Sequence, residues 1–270
     1  MKSLKTDNYE VQVFLEGINP KDSEEIIIDN ILKQVREDKN IGFAGFSDKK
    51  TLKNILERFM ISWKSDNGNF KISSKEIEQV IKKSGETCKE LAPYSPEKTY
   101  IFIFPCFDNF TIKKMNGLGG FCPWKDVILI FLNPQENWEN SLKETIIHEF
   151  AHSISPFYKG GDFSIGEGLI FEGLAENFRE KVFGGASAPY SKSLNEEEAI
   201  KTLNEIKNKL DSKDWNEYME IFYGTKGYPL WAGYSIGYYL VRKYLKNKEK
   251  INWNELLRKN PKEILLKIIS

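Results

Sequence analysis

The sequence predicts an α+β fold, mainly helical with a small mixed sheet, on three observations. Apolar residues recur at helical spacing through much of the first hundred residues and again from residue 141 onward. Between those stretches lie two short runs rich in β-branched and aromatic residues, "KTYIFIFPCF" (98–107) and "DVILIFL" (126–132), which read as strands. Glycine and proline clusters punctuate the elements, and no internal repeat or low-complexity segment interrupts them.

Taken in order, "YEVQVFLEG" (9–17) is a candidate strand with imperfect alternation. "DSEEIIIDNILKQVRED" (22–38) opens on an acidic cap and continues with helical periodicity, as does "DKKTLKNILERFMISWKS" (48–65). "SSKEIEQVIKKSGETCKEL" (73–91) begins with serine followed by glutamate, close to a capping box. After the strand at 98–107, "NGLGGFCPWKDVILIFLNP" (116–134) predicts a glycine-rich turn followed by a second strand. Helices are expected at 141–154, 166–182, 195–211, 214–222, 230–246 and 252–268, the first of them capped by Ser141 with Glu144 three residues on. The expected organisation is a mainly helical N-terminal region, 1–95, followed by a functional domain, 96–270.

Bulk composition narrows the function. Lysine plus arginine and aspartate plus glutamate number 39 each, so the net charge is zero and no basic surplus supports nucleic-acid binding or adsorption to anionic membranes. The first residues, "MKSLKTDNYEVQVFLEG", lack the apolar core of a signal peptide, and "VILIFL" is too short to span a bilayer, so a cytoplasmic protein is expected. The three cysteines, Cys88, Cys106 and Cys122, form no C-x-x-C pair and read as small buried apolar residues.

The chemistry concentrates in "ETIIHEFAHSI" (144–154), which holds His148 and His152, the two histidines of the chain. On a helix, positions four apart share a face, so both imidazoles can point at one metal ion. Glu149, about 100° around the helix from His148, can reach a metal-bound water without displacing a ligand. This is the logic of H-E-x-x-H: two zinc ligands and a general base on one rigid element. A pair of structural histidines in a helical core is the alternative. A catalytic zinc site needs a third protein ligand. With no further histidine it is a carboxylate, a thiolate or nothing, and position 158, where a longer motif would require histidine, is Tyr158. The helix "GEGLIFEGLAENFREKVF" (166–183) offers Glu172 as the first candidate, with Glu167 and Glu176 as alternatives. Glu172 and Glu176 share a face, which suits one carboxylate on the metal and another on the far nitrogen of a ligating histidine.

"HEFAH" followed by "FEGLAENF" resembles the gluzincin pattern of thermolysin-like peptidases and zinc aminopeptidases, whose second motif reads N-E-G-F-A-E; here phenylalanine replaces the asparagine. A nearer resemblance is to a family of predicted Zn-dependent proteases built around a domain of unknown function. It extends over roughly residues 95–270 and is carried by "NGLGG", "HEFAH", "EGLAENF" and "GYSIGYYLV". The resemblance implies a zincin-like fold, Zn2+ as cofactor, His148, His152 and Glu172 as ligands, Glu149 as base and a peptide or protein as substrate.

Two further expectations concern the substrate. An oxyanion needs a second donor, and "GYPLWAGYSIGYYLVRKYL" (227–245) offers Tyr234, with Tyr228 in reserve; Gly233 and Gly237 beside it would admit a close backbone or substrate. Gly119 and Gly120, in the glycine-rich approach to the second strand, would let an extended substrate lie against that strand. No acidic anchor for a substrate α-amine precedes His148, so cleavage within peptides is expected. The competing expectation is a catalytically silent zincin-like scaffold that binds zinc or a protein partner without turnover.

Overall fold

The computed structural model describes residues 2–5, 9–13, 73–92, 99–106, 108–124, 127–133, 135–157, 163–185, 188–225, 227–246 and 248–269, with a few single positions between 23 and 54. The helices expected at 22–38 and 48–65 fall mostly outside the described residues. The chain divides into two compact units: 1–82 with 98–121 and 128–145, and 83–97 with 122–127 and 146–270.

Among the described residues the sheet has five strands: β1 (Lys2–Lys5), β2 (Tyr9–Val13), β3 (Thr99–Pro105), β4 (Leu118–Trp124) and β5 (Val127–Leu132). Their order is β1-β2-β3-β5-β4. β1 runs antiparallel to β2 and β2 parallel to β3, with Val11 opposite Ile101, so the sheet is mixed. β5 is buried at every position, as a strand with apolar side chains on both faces should be. Phe104 and Phe131 stack across the sheet at 5.5 Å.

The glycine-rich turn occupies only the start of the stretch expected for it. Asn116 and Gly117 take positive φ, 54° and 75°, and a Cβ on Gly117 would meet the Asn133 carbonyl oxygen at 2.2 Å. Gly119 and Gly120 are not in the turn but inside β4, an edge strand.

From residue 73 onward the helices among the described residues are α1 (Ser74–Leu91), α2 (Asn109–Lys114), α3 (Trp138–Ser153), α4 (Ile165–Phe183), α5 (Glu196–Glu205), α6 (Trp215–Tyr223), α7 (Ala232–Lys246), α8 (Trp253–Leu256) and α9 (Pro261–Ile269). α3 begins three residues before the predicted cap, so Ser141 lies within the helix and caps nothing. Its amide bonds instead to the carbonyl of Asn137, which turns the chain at φ 63°. The expected helix 252–268 is two short helices, because Pro261 has no N–H to continue the first and starts the second. Among the described residues no helix is long and apolar enough to cross a membrane.

α4 is buried on nearly all sides, from Ile165 through Arg179 apart from Glu172. Its start is held by a capping box: Ser164 Oγ accepts from the Glu167 amide, and Glu167 accepts from the Ser164 amide at 3.0 Å. α7 packs directly on it. A Cβ on Gly173 would fall 2.1 Å from the Gly237 carbonyl oxygen, and one on Gly237 would fall 2.2 Å from the Leu169 carbonyl oxygen. The two backbones therefore touch, and Asn177 Nδ2 bridges them by donating to the carbonyls of Gly173 (2.8 Å) and Tyr238 (3.0 Å).

Candidate metal centre

His148, Glu149 and His152 lie on α3 and are all buried. The i, i+4 spacing works as the helix geometry requires: the two Nε2 atoms face each other at 2.9 Å. Glu172, from α4, brings Oε2 to 3.3 Å from each of those nitrogens. Among the described residues that buried oxygen has no hydrogen-bond partner.

An unpartnered buried carboxylate oxygen aimed at two imidazole nitrogens is costly unless something else sits between them. Zinc–ligand bonds of about 2.0–2.2 Å place the corners of a tetrahedron about 3.3–3.6 Å apart. The spacings of 3.3, 3.3 and 2.9 Å match that size, the last slightly inside it. Two imidazoles and one carboxylate, converging on one point, are a donor set that fits Zn2+.

The histidine orientation is held from behind. The Nδ1 of His148 lies 2.6 Å from Glu176 Oε1. Donation of Nδ1–H to that carboxylate leaves the Nε2 lone pair for the metal. Glu176 Oε2 in turn accepts from Arg179 Nε at 3.2 Å and from a terminal guanidinium nitrogen at 3.0 Å; both side chains are wholly buried. His152 is oriented differently, its ring stacking on Phe171 at 4.2 Å with Phe163 behind.

Electrostatics follow from this burial. In the metal-free state burial disfavours a charge on His148, but Glu172 and Glu176 outweigh it and lift the imidazole from its ordinary 6.5 to about 10. Burial likewise pushes Glu172 and Glu176 upward, yet the neighbouring histidines, with Arg179 for Glu176, hold both below the usual carboxylate range. Glu149 behaves the other way: burial dominates and raises its pKa.

The predicted site residues thus separate. His148, Glu149, His152, Glu172 and Glu176 come together, whereas Glu167 is occupied in the capping box. Tyr234 lies on α7, its hydroxyl donating to the Tyr223 hydroxyl at 3.2 Å. Tyr228 is half-buried against the helical core. The close approach at Gly233 and Gly237 is internal packing, against the Phe222 ring and the α4 backbone. Gly119 and Gly120 belong to β4.

Arg179 and Tyr190 were not candidates in the sequence. Arg179 stands three residues after Glu176, an ion-pair spacing, but an exposed pair would look the same in sequence. Tyr190 sits in "GGASAPYSKS", which has no periodicity to read.

Similarity to known proteins agrees with this reading of the chain. Over 168 residues it is 27% identical to YjfC of Bacillus subtilis (strain 168), a protein described as uncharacterized; the match covers 57% of this chain and 56% of that one, so it spans about half the length of the curated relative. No solved structure matches significantly. The family described as "Predicted Zn-dependent protease (DUF2268)" matches residues 77–266, well over half of the chain, and the protein belongs to that family.

Proposed function

We propose that the protein is a zinc-dependent metallopeptidase that hydrolyses peptide bonds, with His148, His152 and Glu172 as metal ligands and Glu149 as general base. The observation that carries this reading is the buried Glu172 oxygen facing two imidazole nitrogens, with the buried Glu149 next to His148 on α3 and outside that converging set. When bound, zinc polarises a carbonyl and lowers the pKa of its water to about 7.

The remaining work falls to the protein. Glu149 takes a proton from the attacking water and delivers it to the departing amine nitrogen. Burial raises its pKa, which makes it a stronger base than an exposed glutamate. Glu176 and Arg179 hold the His148 ring, and Phe171 holds that of His152. The substrate class is a peptide or protein, cut internally.

The test compares wild type with Glu149→Gln on a peptide library after zinc quantitation. Near-stoichiometric zinc in both proteins, with cleavage lost in the variant, is the expected result. Equal cleavage by the two would rule out Glu149 as base, and full zinc loading with no cleavage by wild type would leave a non-hydrolytic zinc scaffold.

A further inference from the structure

Tyr190 lies between α4 and α5, in a segment whose path is held by hydrogen bonds rather than by secondary structure. Ser191 closes a turn on the Ala188 carbonyl through its amide (3.2 Å) and its hydroxyl (3.1 Å). Ser235, fully buried near the start of α7, then pins the segment at three points. Its hydroxyl donates to the Tyr190 carbonyl at 3.2 Å, accepts from the Leu194 amide at 3.2 Å, and lies 2.9 Å from the Ser193 hydroxyl.

The result is to set the Tyr190 ring beside that of His148. Its centroid lies 6.0 Å from that of His148, edge-on at 81°. Tyr234 at 5.3 Å and Trp231 at 6.3 Å pack against it. Trp231 takes φ 60°, a left-handed conformation costly for a bulky residue, and such strain persists where the surroundings demand it. Burial raises the Tyr190 hydroxyl well above its usual pKa; Glu176 adds to this, Arg179 opposes it, and Glu149 and Glu172 add again. Among the described residues the Tyr190 hydroxyl makes no hydrogen bond. Tyr234 differs: its hydroxyl is already bonded to Tyr223, and its ring packs on Tyr190, Phe222 and Tyr223.

We propose that Tyr190 is a further catalytic residue, whose phenol donates a hydrogen bond to the oxyanion formed when water adds to the scissile carbonyl, and that Ser235 is the positioning residue that holds it there. The proposal rests on the peptidase reading, takes the donor role from Tyr234, and involves no covalent step at the phenol: the hydroxyl donates and keeps its proton.

The test uses the full chain loaded with Co2+ and titrated with acetohydroxamate, a small metal-chelating anion that needs no peptide recognition, followed in the visible spectrum. Tyr190→Phe should weaken acetohydroxamate about tenfold, the scale of one hydrogen bond to a charged group, while metal affinity stays at the wild-type value. On a cleaved peptide, kcat should fall about 100-fold with KM nearly unchanged, since the bond forms in the transition state. Ser235→Ala, which leaves the phenol intact, should show a smaller loss of the same kind. Wild-type acetohydroxamate affinity in Tyr190→Phe would overturn the proposal, as would the tenfold effect appearing in Tyr234→Phe instead. If wild type cleaves no peptide yet Tyr190→Phe still weakens acetohydroxamate, the peptidase reading fails and the place of the hydroxyl at the metal stands.

Discussion

Gly173 of α4 and Gly237 of α7 meet backbone to backbone, with no room for a Cβ on either: one placed on Gly173 would lie 2.1 Å from the Gly237 carbonyl oxygen. Glu172 is the residue before Gly173, so the contact that joins the two helices also sets the depth at which a candidate ligand enters the centre. Gly237→Ala must push α7 away from α4. Overpacking of this kind costs about 1–3 kcal/mol or more. Urea unfolding should show a lower midpoint, and a chelator titration should show weaker zinc binding in the same variant. An unchanged midpoint would mean that the helices part without cost.

Glu176 and Arg179 should separate stability from metal affinity. Glu176→Gln removes the charge behind His148, and loss of such a partner typically weakens metal binding 10–100-fold. Arg179→Met leaves Glu176 buried without its cation and should destabilise the fold by about 3–5 kcal/mol. Replacing both, as Glu176→Leu with Arg179→Met, should recover most of that stability but not the zinc affinity. Competition with a chromophoric chelator, alongside urea unfolding, reads the two effects independently.

Zinc binding should release protons. His148 is lifted to about 10 in the metal-free state, so near neutral pH it carries a proton that a metal ligand cannot keep. Calorimetric titrations in buffers of different ionisation enthalpy should therefore give different apparent enthalpies, with about one proton released near neutral pH. Identical enthalpies in all buffers would show that the site is already deprotonated.

Stability of the chelated protein should depend on pH in a defined direction. The His148 pKa is raised, so its contribution is complete below 6.5 and fades as pH rises toward about 10. Glu149, also raised, favours the folded state least once ionised. Glu172 and Glu176 are depressed, so their contribution is present above the ordinary 4.5 and fades as pH falls below it. From this cluster, metal-free protein should be most stable between about 4.5 and 6.5, whereas the gain in melting temperature on adding zinc should grow as pH rises. A zinc-induced gain that shrinks with rising pH would contradict the ligand set.

Ser164 should matter through the start of α4. Ser164→Ala removes the oxygen that accepts from the Glu167 amide, and loss of such a cap costs about 1 kcal/mol. Thermal unfolding measures it, with Ser164→Asp expected to retain most of the stability.

The spacing of His148, Glu149 and His152, and of Glu172 and Glu176, was legible in sequence because an α-helix converts sequence distance into a face with little freedom. The α+β class was legible for the same reason, since periods of 3.6 and 2 are local properties. The mistakes were at boundaries and turns. Ser141 looked like a cap, but Asn137 turns the chain first; "GLGG" looked like a turn, but Gly117 alone needs the left-handed backbone. At Pro261 the missing N–H was visible, yet the periodicity ran through it.

By itself, then, the sequence determined which residue types share a helix face and which family pattern they form. Only the tertiary structure put Glu172 in front of the two histidines and Glu176 behind His148, because those contacts cross from α4 to α3, whereas the Ser164–Glu167 cap and the Glu176–Arg179 pair are three-residue contacts within α4. It also brought Tyr190 beside His148, through hydrogen bonds to Ser235 some 45 residues away, and no local period encodes a contact of that range.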